Sequence, residues 1–309
     1  MDQKYRVFID GQAGTTGLQI QQRLASHPHI ELLTIDEALR KDAAARQALM
    51  KQADVTILCL PDAAAKEAVA LANEVGARVL DASSAHRVQD GWVYGLPELD
   101  VAQREKIRQA SHVSNPGCYA TGAITLLAPL TRAGLLAADQ PLTINAVSGY
   151  SGGGKTMVEK YQQQGTGFAA YGLGFDHKHI KEIQAWGGLN ARPIFQPAVG
   201  DYAQGMLVFI PLNNSDGEAL HKALSEFYAG QQFITVRELN QMDGDSAPYL
   251  LPEALNNSNQ LEIFVFTHPQ QRQSILVARL DNLGKGASGA AVQNLNIMLG
   301  LPEATCVNL

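Results

Sequence analysis

Over the first eighty residues, short apolar runs alternate with segments of helical period. Tyr5 to Asp10 reads as a strand, Gly17 to Leu24 as a helix and Ile30 to Ile35 as a second strand. Val55 to Leu60 (VTILCL) is a continuous apolar run closed by Pro61, the pattern of a strand buried on both faces of a parallel sheet. An Ala-rich helix over Ala63 to Glu74 and a strand over Arg78 to Asp81 continue the alternation. This order predicts a doubly wound α/β sheet with right-handed crossovers. After about residue 118 the texture changes. Leu142 to Val147, Met206 to Leu212, Leu261 to Phe266 and Ile275 to Leu280 read as strands with fewer helices between them, which predicts an α+β unit with a mostly antiparallel sheet. Ala287 to Leu299 has helical spacing and a Gly300-Leu301-Pro302 stop, so it is expected to be a closing helix that returns to the first domain. The expected organisation is residues 1–117 with 287–309 as one domain and 118–286 as the other.

At 309 residues the chain has room for two cores. Its 46% hydrophobic and 17% charged content suits a soluble globular protein, and its apolar runs fall short of the roughly 18 residues a membrane span needs. The net charge of −6 and the lack of a Lys/Arg-rich run argue against a nucleic-acid partner. The opening MDQKYRVFID shows neither a secretory nor an import leader, so a cytoplasmic location is expected. Cys59, Cys118 and Cys306 are widely spaced without a CxxC pair, which predicts reduced thiols and no metal site.

Four clusters carry candidate chemistry. Gly11, Gly14 and Gly17, with Thr15 and Thr16 between them, lie where the first strand meets the first helix. Such a turn lets backbone amides approach a pyrophosphate, and it makes the first domain Rossmann-like, although the spacing is GxxGxxG and a glycine turn also serves as a plain connection. Asp36 ends the second strand and suits a ribose 2′-hydroxyl, whereas Arg40 and Lys41 suit a 2′-phosphate. Gly149 to Thr156 (GYSGGGKT) matches a phosphate-binding loop of nucleoside triphosphatases, with Lys155 as its cation and Asp281 as the one partner acid. Cys118, in SNPGCYATG, opens an expected helix over Tyr119 to Leu130, and a helix N-terminus favours thiolate. Cys59 lies in a buried strand and Cys306 in a tail. DHKHIKEI brings His177, His179 and Glu182 within six residues. Its spacing fits a base with its carboxylate, a metal-binding HxH or paired surface histidines alike.

Taken together, IDGQAGTTGLQI, SNPGCYATGA, SGYSGGGKT, DHKHIKEI and DNLGKGASGAAVQNLNIMLG, in that order, resemble the shorter subfamily (type 2) of the N-acetyl-gamma-glutamyl-phosphate reductases over nearly the whole chain. The resemblance implies a glyceraldehyde-phosphate dehydrogenase-like fold, shared with aspartate-semialdehyde dehydrogenases. It also implies an NADP(H)-dependent oxidoreductase of arginine biosynthesis that acts on a small-molecule acyl phosphate as a dimer or tetramer. Carried onto this chain, it makes Cys118 the nucleophile and His179, then His177, the acid/base, with Glu182 beside them. Asn115, Ser148, Gly149, Lys155 and Arg87 become the substrate contacts, while Ser83, Asn282, Lys285 and Gly286 join the cofactor contacts. Two departures stand out: Ala120 where longer members have Pro, and Gln204-Gly205 where they have Arg-Gly. The competing readings are an aspartate-semialdehyde dehydrogenase, a nucleoside triphosphatase using Gly149 to Thr156, and a non-catalytic nucleotide-binding module.

Overall fold

A computed structural model describes residues 4–12, 14–244 and 249–309, apart from the side chains at 154–156, 162 and 164. In chain order its elements are β1 (Tyr5–Asp10), α1 (Thr15–Leu24), β2 (Ile30–Leu33), α2 (Ala43–Gln52), β3 (Val55–Leu58), α3 (Asp62–Glu74), β4 (Val79–Asp81), β5 (Val93–Tyr94), α4 (Gln103–Gln109) and β6 (His112–Ser114). There follow α5 (Cys118–Arg132), β7 (Thr143–Gly149), α6 (Gly154–Gln164), β8 (Phe168–Ala170), α7 (His179–Gly187), β9 (Ile194–Gly200), β10 (Met206–Asn213) and α8 (Gly217–Phe227). The chain ends with β11 (Ile234–Val236), β12 (Leu261–Thr267), β13 (Gln273–Leu280) and α9 (Gly289–Met298). Met1–Pro116 with Ala287–Leu309 form one compact unit and Gly117–Gly286 the other. Among the described residues no helix is long and apolar enough to cross a membrane.

In the first unit six strands pair in the order β2-β1-β3-β4-β6-β5, all parallel. Val7, Phe8 and Ile9 of β1 and all four residues of β3 are buried, as a sheet covered on both faces requires. The strand order reverses between β1 and β3. In doubly wound folds that is the point where the carboxyl ends of the strands open a ligand crevice. Asp10, at the end of β1, is buried there, and its Oδ2 accepts from Arg46 Nε at 3.0 Å and Nη2 at 2.6 Å. The closing helix α9 buries polar side chains as well as apolar ones, and each polar side chain is paired: Gln293 Nε2 donates to Glu98 Oε1 at 2.9 Å, Asn294 Nδ2 to the Gly95 carbonyl at 2.8 Å and Asn296 Nδ2 to the Thr305 carbonyl at 2.8 Å.

The second unit holds a seven-stranded sheet in the order β11-β12-β13-β10-β7-β9-β8. The β11/β12 and β7/β9 pairs are parallel and the other four antiparallel. Helix α5 lies close against this sheet because Gly122 has no side chain: a Cβ there would stand 2.8 Å from Val208 Cγ2. Pro129 inside α5 lacks the N–H that would bond the Thr125 carbonyl. The Tyr228 hydroxyl donates to that carbonyl at 2.8 Å instead, so the helix continues to Arg132. Since Val208 faces α5, its neighbours Leu207 and Phe209 face the other way. There Phe209, Val277 and Phe264 form an apolar row across three strands, and Ile275 beside it is 45% exposed.

The structure argues against the nucleoside triphosphatase reading of Gly149 to Thr156. A phosphate-cradling loop must present its amides outward. Here the Gly149, Tyr150 and Ser151 amides donate to the Gly205, Tyr202 and Ala203 carbonyls at 2.9, 2.9 and 3.0 Å. The proposed partner acid, Asp281, is fully buried and accepts from the Leu283 and Asn257 amides and from Gln204 Nε2, so its oxygens are spent on the fold.

Candidate active site

Pro116 and the extended Gly117 deliver the chain into α5 so that Cys118 is its first residue. The opening amides of a helix have no intrahelical acceptor, and their partial positive charge favours an anion. One of them is claimed by the histidine segment: the Gly117 amide donates to Glu182 Oε2 at 3.2 Å. Glu182 lies in the first turn of α7, buried, with its other oxygen 3.9 Å from His179 Nε2. That gap exceeds a hydrogen bond but lets the carboxylate stabilise an imidazolium. Thus Glu182 ties the helix that begins with His179 to the residue preceding Cys118.

His177 precedes α7, and its Nδ1 accepts the His179 amide at 3.2 Å. The two imidazole rings meet edge to face with centroids 4.7 Å apart, and both lie 5.9 Å from the Tyr119 ring. Phe195 closes the group at 5.0 Å from His177. The structure therefore gathers Cys118, His177, His179 and Glu182, and adds Tyr119 and Tyr171, which the sequence reading left out. The signal for Tyr171 was its place six residues before His177.

Gly286 also belongs here. A Cβ on it would lie 2.8 Å from Cys118 Cβ and 3.1 Å from the Asp281 carbonyl oxygen, neither of which can yield cheaply. Gly286→Ala is expected to displace Cys118 and lower kcat by about 10²-fold, the scale of a misplacement of about 1 Å. Steady-state kinetics beside a thermal melt checks this, and full activity in a folded variant would contradict it.

Asn282 and Lys285 lie in the interior of the same unit. The Asn282 amide group bridges the Gly205 amide (2.7 Å) and Ser151 Oγ (3.0 Å), and the Lys285 ammonium sits 5.4 Å over the Phe233 ring. Ser148 Oγ turns onto the Gly149 carbonyl at 3.0 Å, and the Lys155 side chain lies outside the described residues. Gln204, at the Arg-Gly departure, links Asn257 Oδ1 and Asp281 Oδ2 at 3.1 and 2.9 Å. Burial pushes the Cys59 thiol up to about 12, which suits an inert thiol, and it lies just past the end of β3 rather than within the strand.

The glycine turn of the first unit separates two demands. Gly11 has φ +92°, and a Cβ on it would lie within 2.3 Å of the Cys59 carbonyl oxygen, while one on Gly17 would lie 2.6 Å from the Gly11 carbonyl oxygen. Those two glycines are required by the turn itself. Gly14 is not, since its nearest neighbour would be 3.8 Å away. It caps α1 without a side-chain hydrogen bond and leaves Thr15, Thr16 and Gly17 as the first turn, so the residues fit a dinucleotide pyrophosphate. Asp36 Oδ1 accepts from the Ala38 amide at 2.9 Å, and exposed Arg40 stands 3.3 Å from Glu37. Ser83 Oγ donates to Asp81 at 2.7 Å. Arg87 donates to the Asn115 and Ala82 carbonyls, and Asn115 bridges the Ala287 carbonyl and Asn294, so both hold the fold of this unit.

Comparison with known proteins gives the family. The NAD binding domain of semialdehyde dehydrogenases matches residues 35–110, and their dimerisation domain matches residues 118–282. N-acetyl-gamma-glutamyl-phosphate reductase 2 of a Nostoc species is 51% identical over 97% of this chain and 98% of its own, and that of Pseudomonas putida is 52% identical over 96% and 98%. Among solved structures, aspartate semialdehyde dehydrogenase from Francisella tularensis superposes with a TM-score of 0.73 at 13% identity, covering 96% of this chain and all of its own. The enzyme from Candida albicans, solved with NADP, gives 0.67 at 14% identity over 96% and 98%. At such low identity these two neighbours share the fold alone. With half of all positions identical to reductases of matching length, and with the cysteine, histidines and carboxylate of its second unit gathered in one place, the chain belongs to the N-acetyl-gamma-glutamyl-phosphate reductase family.

Proposed function

We propose that this enzyme reduces N-acetyl-gamma-glutamyl phosphate to N-acetylglutamate 5-semialdehyde and phosphate through a thioester on Cys118, as a step of arginine biosynthesis in the cytoplasm. The observation that carries the reading is Cys118 at the first position of α5 with His179 tied to it through Glu182. Cys118 Sγ attacks the acyl carbon, the acyl C–O bond breaks and phosphate leaves. When bound, NADPH supplies the hydride that reduces the thioester carbonyl. The opening turn of α5 stabilises the resulting oxyanion on Cys118, and His179 gives it a proton. His179, neutral after that transfer, takes the proton back as the C–S bond breaks, releasing the aldehyde and restoring the Cys118 thiolate.

Gly11, Gly14 and the first turn of α1 would hold the cofactor. NADP is the preferred form in this reading, because Asp36 spends an oxygen on its own turn while the Arg40 guanidinium is exposed. Nicotinamide absorbance tests the whole reading, with the reaction run backward from N-acetylglutamate semialdehyde, phosphate and NADP, and with NAD and aspartate semialdehyde as parallel controls. Phosphate-dependent NADPH formation with the acetylated aldehyde is expected. A response to aspartate semialdehyde alone would replace the substrate assignment, and a faster NAD reaction would replace the cofactor.

The row Phe209, Val277 and Phe264 with exposed Ile275, in a region that matches a dimerisation domain, supports a homo-oligomer assembled through that face. Sedimentation is expected to give a dimer or tetramer, and Ile275→Asp is expected to shift it toward monomer. A monomeric wild type would overturn this.

A further inference from the structure

Beside Cys118 stands a pair of phenols whose protons can point in only one direction. The Tyr119 hydroxyl lies 3.0 Å from the Ala198 carbonyl oxygen and 3.1 Å from the Tyr171 hydroxyl. A carbonyl only accepts, so Tyr119 gives its one proton to Ala198. Tyr119 can then only accept from Tyr171, and Tyr171 gives up its own proton in turn. Both phenols hold their protons at neutral pH. Burial, and to a lesser extent the neighbouring Cys118, raises both, Tyr171 to about 12. Among the described residues the Tyr171 oxygen is therefore left with acceptor capacity and no proton of its own to give.

Tyr171 reaches this position from the loop after β8, where its amide donates to the Pro197 carbonyl at 3.1 Å. Its half-buried ring lies 5.8 Å from that of His177. Tyr119 follows Cys118 directly in the chain, and Cys118 lies near enough to act electrostatically on both phenols. A site that offers only a lone pair selects for an N–H or O–H on what it binds. The substrate of the proposed reaction has a carboxylate, an acyl phosphate and an acetyl carbonyl, all of which accept. Its one donor is the acylamino N–H, carried on the third carbon from the acyl carbon.

We propose that the Tyr171 hydroxyl oxygen accepts the acylamino N–H of the substrate and so acts as a residue that selects the N-acylated chain; this rests on the function proposed above. The test compares wild type and Tyr171→Phe in the backward assay, with N-acetylglutamate semialdehyde and with 5-oxopentanoate, which lacks the acetamido group. The variant removes one oxygen and keeps the ring. The ratio of kcat/KM for the acetylated over the plain aldehyde is expected to fall about five- to tenfold, the worth of one neutral hydrogen bond, with the pH profile unmoved. An unchanged ratio would overturn the proposal. So would equal losses on both aldehydes with a shifted pH profile, which would make Tyr171 a positioning partner of the histidines. A wild type that does not turn over the acetylated aldehyde would instead remove the functional reading itself.

Discussion

Replacing Cys118 by serine is expected to lower turnover by about 10³-fold or more while leaving the fold intact. Serine fits the first position of α5 without new contacts, so the melting temperature should stay close to that of wild type. Its hydroxyl, however, is protonated at neutral pH and attacks poorly. The oxygen ester it would form is less readily reduced, and an alkoxide is a poorer leaving group than a thiolate when the aldehyde must be expelled. Both halves of the reaction therefore suffer. The measurement is steady-state turnover in the backward assay, joined to alkylation with iodoacetamide. Labelling of Cys118 should abolish activity in wild type and have nothing to abolish in the variant. Near-normal turnover in Cys118→Ser would remove the thioester mechanism.

The parts of this site that were legible in the sequence are those set by local chemistry. The apolar run at Val55, the glycine turn after β1 and the helix that follows Pro116-Gly117 each signal themselves within a few residues, and the structure places strand, turn and helix there. The continuous pattern also separated the parallel sheet from the mixed one, because strands buried on both faces leave no alternation to read. Strands of two or three residues such as β5 and β6 carry no measurable period and went unseen. Residue type does not reveal which polar side chains are buried. Asn282 and Lys285, expected beside the cofactor, lie in the interior, where one bridges two loop segments and the ammonium of the other stands over the Phe233 ring. Similarly, GYSGGGKT satisfies a phosphate-loop pattern letter by letter, and only the structure shows that its first three amides are spent on the Tyr202 to Gly205 carbonyls. Gly286 against Cys118 and Tyr171 against Tyr119 are contacts between distant segments, beyond the reach of any local pattern.

The histidine pair, which spacing alone left open, divides on a single hydrogen bond. A base needs a lone pair to receive a proton. The Nδ1 lone pair of His177 already accepts the His179 amide, which places the His177 proton on Nε2 and makes protonation at Nδ1 cost the bond that opens α7. His179 faces Glu182, the carboxylate that steadies its charged form. His179→Asn is therefore expected to lower kcat/KM by 10²- to 10⁴-fold, about 3 to 5 kcal/mol of transition-state stabilisation. His177→Asn keeps a side-chain acceptor for the amide and should cost less than about tenfold, since it weakens one neutral hydrogen bond. The pH profile gives the second readout: the limb that reports the acid/base group should vanish in the His179 variant and persist in the His177 variant. Equal losses, or a larger loss at His177, would assign the proton transfer to the other ring and leave Glu182 as a brace between α7 and the start of α5.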